Sequence, residues 1–203
     1  LAVLGGAILV FLTITVLAIA ERVPLEHDEA VYSNRGRFVV GELDNGRGFW
    51  AGYRAPGVPF LLGLIYRVTG PSDVFGRVLI VGFGILAIVV VFVLATALLD
   101  ARAGAAAAVL LVLSSGFTRH AARIFVDVPG MALPMAAITA TYLLWRNGRL
   151  HRSAYVVVPL LAMAGTYVRF GAPATLASGL VAIVIVLAPE HWRTRRREIV
   201  TEV

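Results

Sequence analysis

The sequence contains no cysteine. A disulfide framework and a thiolate metal site are therefore both excluded. It also lacks lysine, so all 18 basic residues are Arg, and charged residues of either sign make up only 15% of the 203 positions. A formal charge of +6 carried by Arg alone, beside an excess of Ala and Val, reads as coding bias more than as a nucleic-acid surface. Zinc-finger spacings, phosphate-cradling glycine loops, dinucleotide-binding glycines and nucleophile elbows are missing too, which removes the commonest soluble enzyme classes.

What fills the chain is apolar. Hydrophobic residues make up 59% of it and the mean hydropathy is +0.86. They come in long blocks and not in an amphipathic rhythm. A helix rises about 1.5 Å per residue, so a block of about 20 apolar residues spans the ~30 Å hydrocarbon core of a bilayer. The pattern predicts an all-α integral membrane protein of about six transmembrane helices. The spans are expected at 1–20, 74–99, 102–118, 129–145, 154–168 and 171–188. Residues 1–20 read as an anchoring span in preference to a cleaved signal peptide, because the block is long and no small-residue cleavage site precedes Glu21.

Residues 21–73 hold most of the charge of the N-terminal half and read as a long loop with short helices of its own. Within it, Pro56 to Val68 is an apolar run of 13 residues, too short to cross and suited to lie in the interface or re-enter it. Pro56 would start that helix and Gly70-Pro71 would stop it.

Each span carries the chain to the opposite side. The 21–73 loop, the turn at 119–128 and the turn at Arg169 then share one face, while Asp100–Arg102, the 146–152 connector and the 193–197 tail share the other. Arg is divided almost evenly between the two faces, so a simple count does not orient the chain. The dense runs WRNGRLHR and HWRTRRR, with little acid among them, place the second group in the cytoplasm. The long loop is then extracytoplasmic.

The chemistry gathers on that loop face. Glu26-His27-Asp28-Glu29 sets three carboxylates and an imidazole within four residues, just past the first span, a crowding that suits general base work. Asp127 stands at the start of a span, before Pro129 and Gly130, where an acid is a functional candidate but also a natural helix cap. Arg123 lies near it, Arg54 precedes the short apolar run, and Arg169 interrupts the apolar sequence between two spans. Arg binds phosphate bidentately, so these three would suit a phosphorylated lipid; snorkelling to headgroups is the plainer role for any one of them. A divalent metal held by His27, His120 and the acids is the one cofactor these residues leave open.

These motifs, in this order, resemble the GT-C superfamily of polytopic glycosyltransferases, in its protein O-mannosyltransferase and aminoarabinose transferase branch. The first span is followed by Asp28-Glu29-Ala30-Val31-Tyr32. A basic residue before a proline-containing embedded helix follows as Tyr53-Arg54-Ala55-Pro56, then Arg123 with Asp127-Val128-Pro129, then Tyr167-Val168-Arg169 ahead of Pro173. The resemblance implies sugar transfer from a polyprenyl-phosphate donor to a protein or lipid acceptor, at the outer face of a prokaryotic plasma membrane. Asp28 would be the base, Glu29 and Asp127 would shape the acceptor site or orient Asp28, and Arg54, Arg123 and Arg169 would hold the carrier phosphate with Tyr32 beside them. No nucleic acid and no firm cofactor is implied.

Two departures stand out: Val31 replaces a basic residue found in some relatives, and Tyr53 replaces an acid. Residues 1–203 read as one membrane domain, the N-terminal portion of a longer enzyme. A transporter would instead carry its polar residues inside the spans, and an inactive scaffold is the third reading.

Overall fold

The computed structural model describes residues 1–21, 23–41, 54–146 and 154–171, together with positions 173 and 177. Among these, all regular structure is α-helical: α1 (Ala2–Ala20), α2 (His27–Val39), α3 (Gly57–Thr69), α4 (Asp73–Leu98), α5 (Ala101–Leu113), α6 (Ser115–Ala121), α7 (Asp127–Arg146) and α8 (Ala154–Val168). The chain is an all-α membrane protein.

Local chemistry sets the helix ends. Glu26 caps α2 in a capping box, its carboxylate taking the amide of Glu29 while the Glu29 carboxylate takes the amide of Glu26. Asp100 caps α5 by accepting from the Ala103 amide at 2.7 Å. Asp73 sits in the first turn of α4, where a negative charge suits the helix dipole. Gly70, at φ 77°, closes α3 in a conformation that disfavours any residue with a Cβ.

α1 and α4 are long and apolar enough to cross a bilayer. The expected span at 102–118 is not one straight helix. It breaks at Ser114 into α5 and α6, which bend by 68° and together make one further candidate span. The expected runs at 129–145 and 154–168 are α7 and α8, and the short apolar run is α3. The 147–152 connector, the 193–197 tail, Tyr53 and most of the 171–188 run lie outside the described residues.

α4 is the hub, touching α1, α3, α5, α6 and α7, and α7 packs along α8. Close approach depends on small residues, as expected where dispersion replaces the hydrophobic force between helices. A Cβ on Gly84 of α4 would stand 2.4 Å from the ring of Phe11 of α1, which is itself fully buried. Phe11 stacks on Phe117 of α6 at 5.4 Å between centroids. Gly165 of α8 lies against the ring of Pro134, inside α7. The outward positions, among them Leu9, Val16 and Leu17 of α1, Leu110 and Leu113 of α5 and Leu160 of α8, are exposed and apolar, as a surface in contact with lipid chains must be.

Candidate active site

The sequence-predicted site residues gather at one end of the bundle. The last turn of α1, the first turns of α2, α4 and α7, and the last turn of α8 meet there. At the opposite end Arg146 and Tyr142 of α7 both donate to the carbonyl of Ala97, fastening the far end of α4. The acids thus lie at one end of the bundle and Ala97, beside the Asp100 turn, at the other.

Among the described residues, four carboxylate–guanidinium pairs involve the predicted site, and a fifth, Arg37 with Asp73 at 3.4 Å, fastens α2 to the start of α4. In the first, Arg54 Nη2 donates to Asp28 Oδ1 at 2.6 Å, and Nη1 reaches the Tyr32 hydroxyl at 3.4 Å. Asp28 and Tyr32 lie one turn apart on α2, so both face the segment that leads into α3. The Arg54 guanidinium also lies 5.4 Å from the centre of the Tyr32 ring. The Asp28 side chain keeps 46% of its surface open, whereas Arg54 keeps 17%. The acid is reachable while its partner is held.

The second pair is buried. Glu29 is 0% exposed and Arg77, from the first turns of α4, is 5% exposed. Arg77 Nε donates to Glu29 Oε1 at 3.2 Å and Nη2 to Oε2 at 3.4 Å, with a further bond to the carbonyl of Val23 at 2.9 Å. Glu29 also accepts the Ile124 amide at 2.9 Å and the Glu26 amide at 3.1 Å. Its oxygens are thus saturated by donors from α2, α4 and the α6–α7 turn. Asp28 and Glu29, about 100° apart around the helix, point to different surroundings.

In the third pair Arg169 Nη1 donates to Asp127 Oδ1 at 2.5 Å, with both side chains part exposed. The Arg169 stem crosses Gly130, where a Cβ would stand 2.8 Å from Arg169 Cβ. The first and third pairs are joined by backbone: a Cβ on Gly57 would lie 2.8 Å from the carbonyl carbon and oxygen of Tyr167. The start of α3, just after Arg54, therefore rests on the end of α8, just before Arg169.

In the fourth pair Arg123 closes on Glu26, which Arg119 also approaches at 3.7 Å. His120 packs edge-on to Phe125. Among the described residues, no three His, Asp or Glu side chains come together as a group that could hold a metal.

The structure brings Asp28, Tyr32 and Arg54 into one cluster and Asp127 with Arg169 into a neighbouring one. Glu29 and Arg123 serve other partners. Sequence reasoning did not single out Arg77. Its signal was a lone Arg inside a run of apolar residues, which in a membrane helix seeks a buried partner.

Such an end of a bundle can hold a nucleophile's proton on Asp28 beside guanidiniums that suit a phosphate. No curated protein and no solved structure matches the chain. Residues 53–201, nearly three quarters of the sequence, match the family model of dolichyl-phosphate-mannose-protein mannosyltransferases, and the match begins after the acidic motif at 28–32. The chain belongs to that family, whose members are glycosyltransferases of the GT-C type.

Proposed function

We propose that the protein transfers mannose from a polyprenyl-phosphate donor to a hydroxyl of a protein acceptor, at the extracytoplasmic surface of the membrane. The family supports donor and acceptor; the dense Arg runs at 146–152 and 193–197 support the orientation. The observation that carries the reading is the 2.6 Å contact between an accessible carboxylate and a largely buried guanidinium, Asp28 and Arg54.

In this mechanism Asp28 takes the proton of the acceptor hydroxyl as its oxygen attacks the anomeric carbon. The bond from that carbon to the phosphate oxygen breaks, and the lipid phosphate leaves with one more negative charge. Arg54 and Arg169 meet that charge, with Arg123 adding to the positive field at the same end. Attack opposite the phosphate inverts the anomeric centre. Asp127 holds Arg169 until phosphate arrives, and Glu29 fixes the turn that presents Asp28. Tyr32 supports Arg54.

The test is a transfer assay with the complete enzyme in membranes, polyprenyl-phosphate mannose and a Ser/Thr-containing peptide. Mannosylated peptide with inverted configuration is expected. Transfer from a nucleotide sugar but not from the lipid-linked donor would overturn the proposal, as would solute uptake without any transfer.

A further inference from the structure

Between α1 and α6, at the acidic end of the bundle, lies a cavity of about 270 Å³. Its walls change character along its length. Ile14 and Ala18 of α1 line an apolar end, while Glu21, Arg119 and Arg123 line a charged one, with Arg77 beside them. Ile14 and Glu21 are seven residues apart, about 10 Å along a helix axis. The cavity therefore runs from surface level to hydrocarbon level beside a single helix. Ile14 is 41% exposed and its neighbour Leu17 is 61% exposed, so this flank of α1 borders the lipid.

The charges around the cavity are unevenly answered. Arg77 is satisfied by buried Glu29. Glu26 serves both Arg123 and Arg119, so one carboxylate answers two guanidiniums. Arg119 has the looser contact, at 3.7 Å, and its side chain is 69% exposed. A guanidinium carries five N–H donors in a planar fork, and a single long contact leaves most of them for a phosphate. Exposed Glu21, at the end of α1, contributes a carboxylate to the same cavity. The arrangement offers cation for phosphate, carboxylate for ammonium, and an apolar wall for a chain.

We infer that this cavity binds a phospholipid of the surrounding bilayer with a primary-amine headgroup. Its phosphate lies on Arg119 and Arg123, its ammonium on Glu21, and the first carbons of an acyl chain against Ile14 and Ala18. A purely anionic lipid would leave Glu21 facing negative charge. A quaternary ammonium would reach Glu21 without an N–H to donate.

The experiment places the complete protein in nanodiscs of equal phosphatidylethanolamine, phosphatidylglycerol and phosphatidylcholine, extracts it with mild detergent, and measures retained lipids by mass spectrometry. Phosphatidylethanolamine should be enriched about fivefold over phosphatidylcholine, a ratio that one charge-assisted hydrogen bond supports. Glu21→Gln should remove that preference and raise phosphatidylglycerol, whereas Arg119→Ala should lower retention of every phospholipid. Both positions are exposed, and unchanged thermal unfolding would show that the variants fold. Equal retention of the three lipids, preference for phosphatidylglycerol in the parent protein, or a Glu21→Gln profile like the parent's would each overturn the assignment. So would displacement of the retained lipid by stoichiometric polyprenyl phosphate, which would give the cavity to the donor. Lipid retention is read without sugar transfer, so this result and the transfer assay stand apart.

Discussion

The amide of Ile124 donates to Glu29 across 95 positions of sequence, at 2.9 Å, in a place where the carboxylate is fully buried. The bond ties the turn that carries Arg123 and leads to Asp127 to the helix that carries Asp28. Because Arg77 shares the same carboxylate, three elements are held by one side chain. Glu29→Gln removes the charge and leaves Arg77 buried without a counter-ion, which costs about 3–5 kcal/mol in comparable buried pairs. The expected result is a large drop in thermal unfolding temperature. The double change Glu29→Leu with Arg77→Met removes the unpaired charge and should recover part of that stability but little activity, since the Ile124 and Glu26 amides still lack their acceptor. Normal transfer by the double variant would show that Glu29 does not position the site.

Asp28 and Arg54 should fail in different ways. Asp28→Asn keeps size and hydrogen bonding but removes the base, so turnover should fall by roughly 10²-fold or more with donor affinity little changed. Arg54→Ala should weaken donor binding and slow turnover together, because the phosphate is charged before reaction and more so on leaving. Arg54→Lys should restore part of the loss, as a point charge without the planar fork. Steady-state kinetics with varied lipid-linked donor separates these outcomes, and an Asp28→Asn enzyme of normal turnover would move the base elsewhere.

Gly57 is the point where α3 meets α8. Gly57→Ala places a Cβ 2.8 Å from the backbone of Tyr167, and overpacking of this kind costs about 1–3 kcal/mol. The two helices must part, and Arg54 moves away from Arg169. We expect a loss of donor affinity that exceeds the loss of stability, measured by donor titration beside thermal unfolding. Gly82→Ala, in open space on α4, is the matched control.

Orientation is open to chemical labelling, and the absence of native cysteine makes the experiment clean. Thr69 and Ala101 are exposed and lie at opposite ends of the bundle. With an impermeant thiol reagent on intact cells, Thr69→Cys should label and Ala101→Cys should not. The reverse pattern would put the acidic end in the cytoplasm.

The helices were largely legible in the sequence because lipid imposes long apolar blocks, and α1, α4, α7 and α8 follow them closely. The break at Ser114 was less so. Ser114-Ser115-Gly116 is a breaker signal, but apolar residues on both sides sustain the appearance of one span. The motif Asp28-Glu29 marked where these ion pairs gather and left their separate partners unread. Neighbouring acids of one helix turn face different partners, and those partners, Arg54 and Arg77, lie 26 and 48 positions from their acids. Pairings of that range depend on how helices pack, which local pattern does not encode. The same limit hid Arg77, whose meaning comes from the carboxylate it meets.

Pro134 has no amide hydrogen, so the carbonyl of Gly130 lacks the donor that an ordinary helix supplies four residues later. Gly165 accommodates the proline ring without filling the space around it with a side chain. α7 thus has a soft joint about two turns in from its charged tip, and the tip itself is held by the Asp127–Arg169 pair and by Val128 in the core. On the proposed mechanism, a phosphate that takes Arg169 would release Asp127 and loosen the first turn of α7 at that joint. Binding at the end of α8 would then be read at the start of α7, as faster deuterium uptake at the amides of Met131 and Ala132 when donor is present.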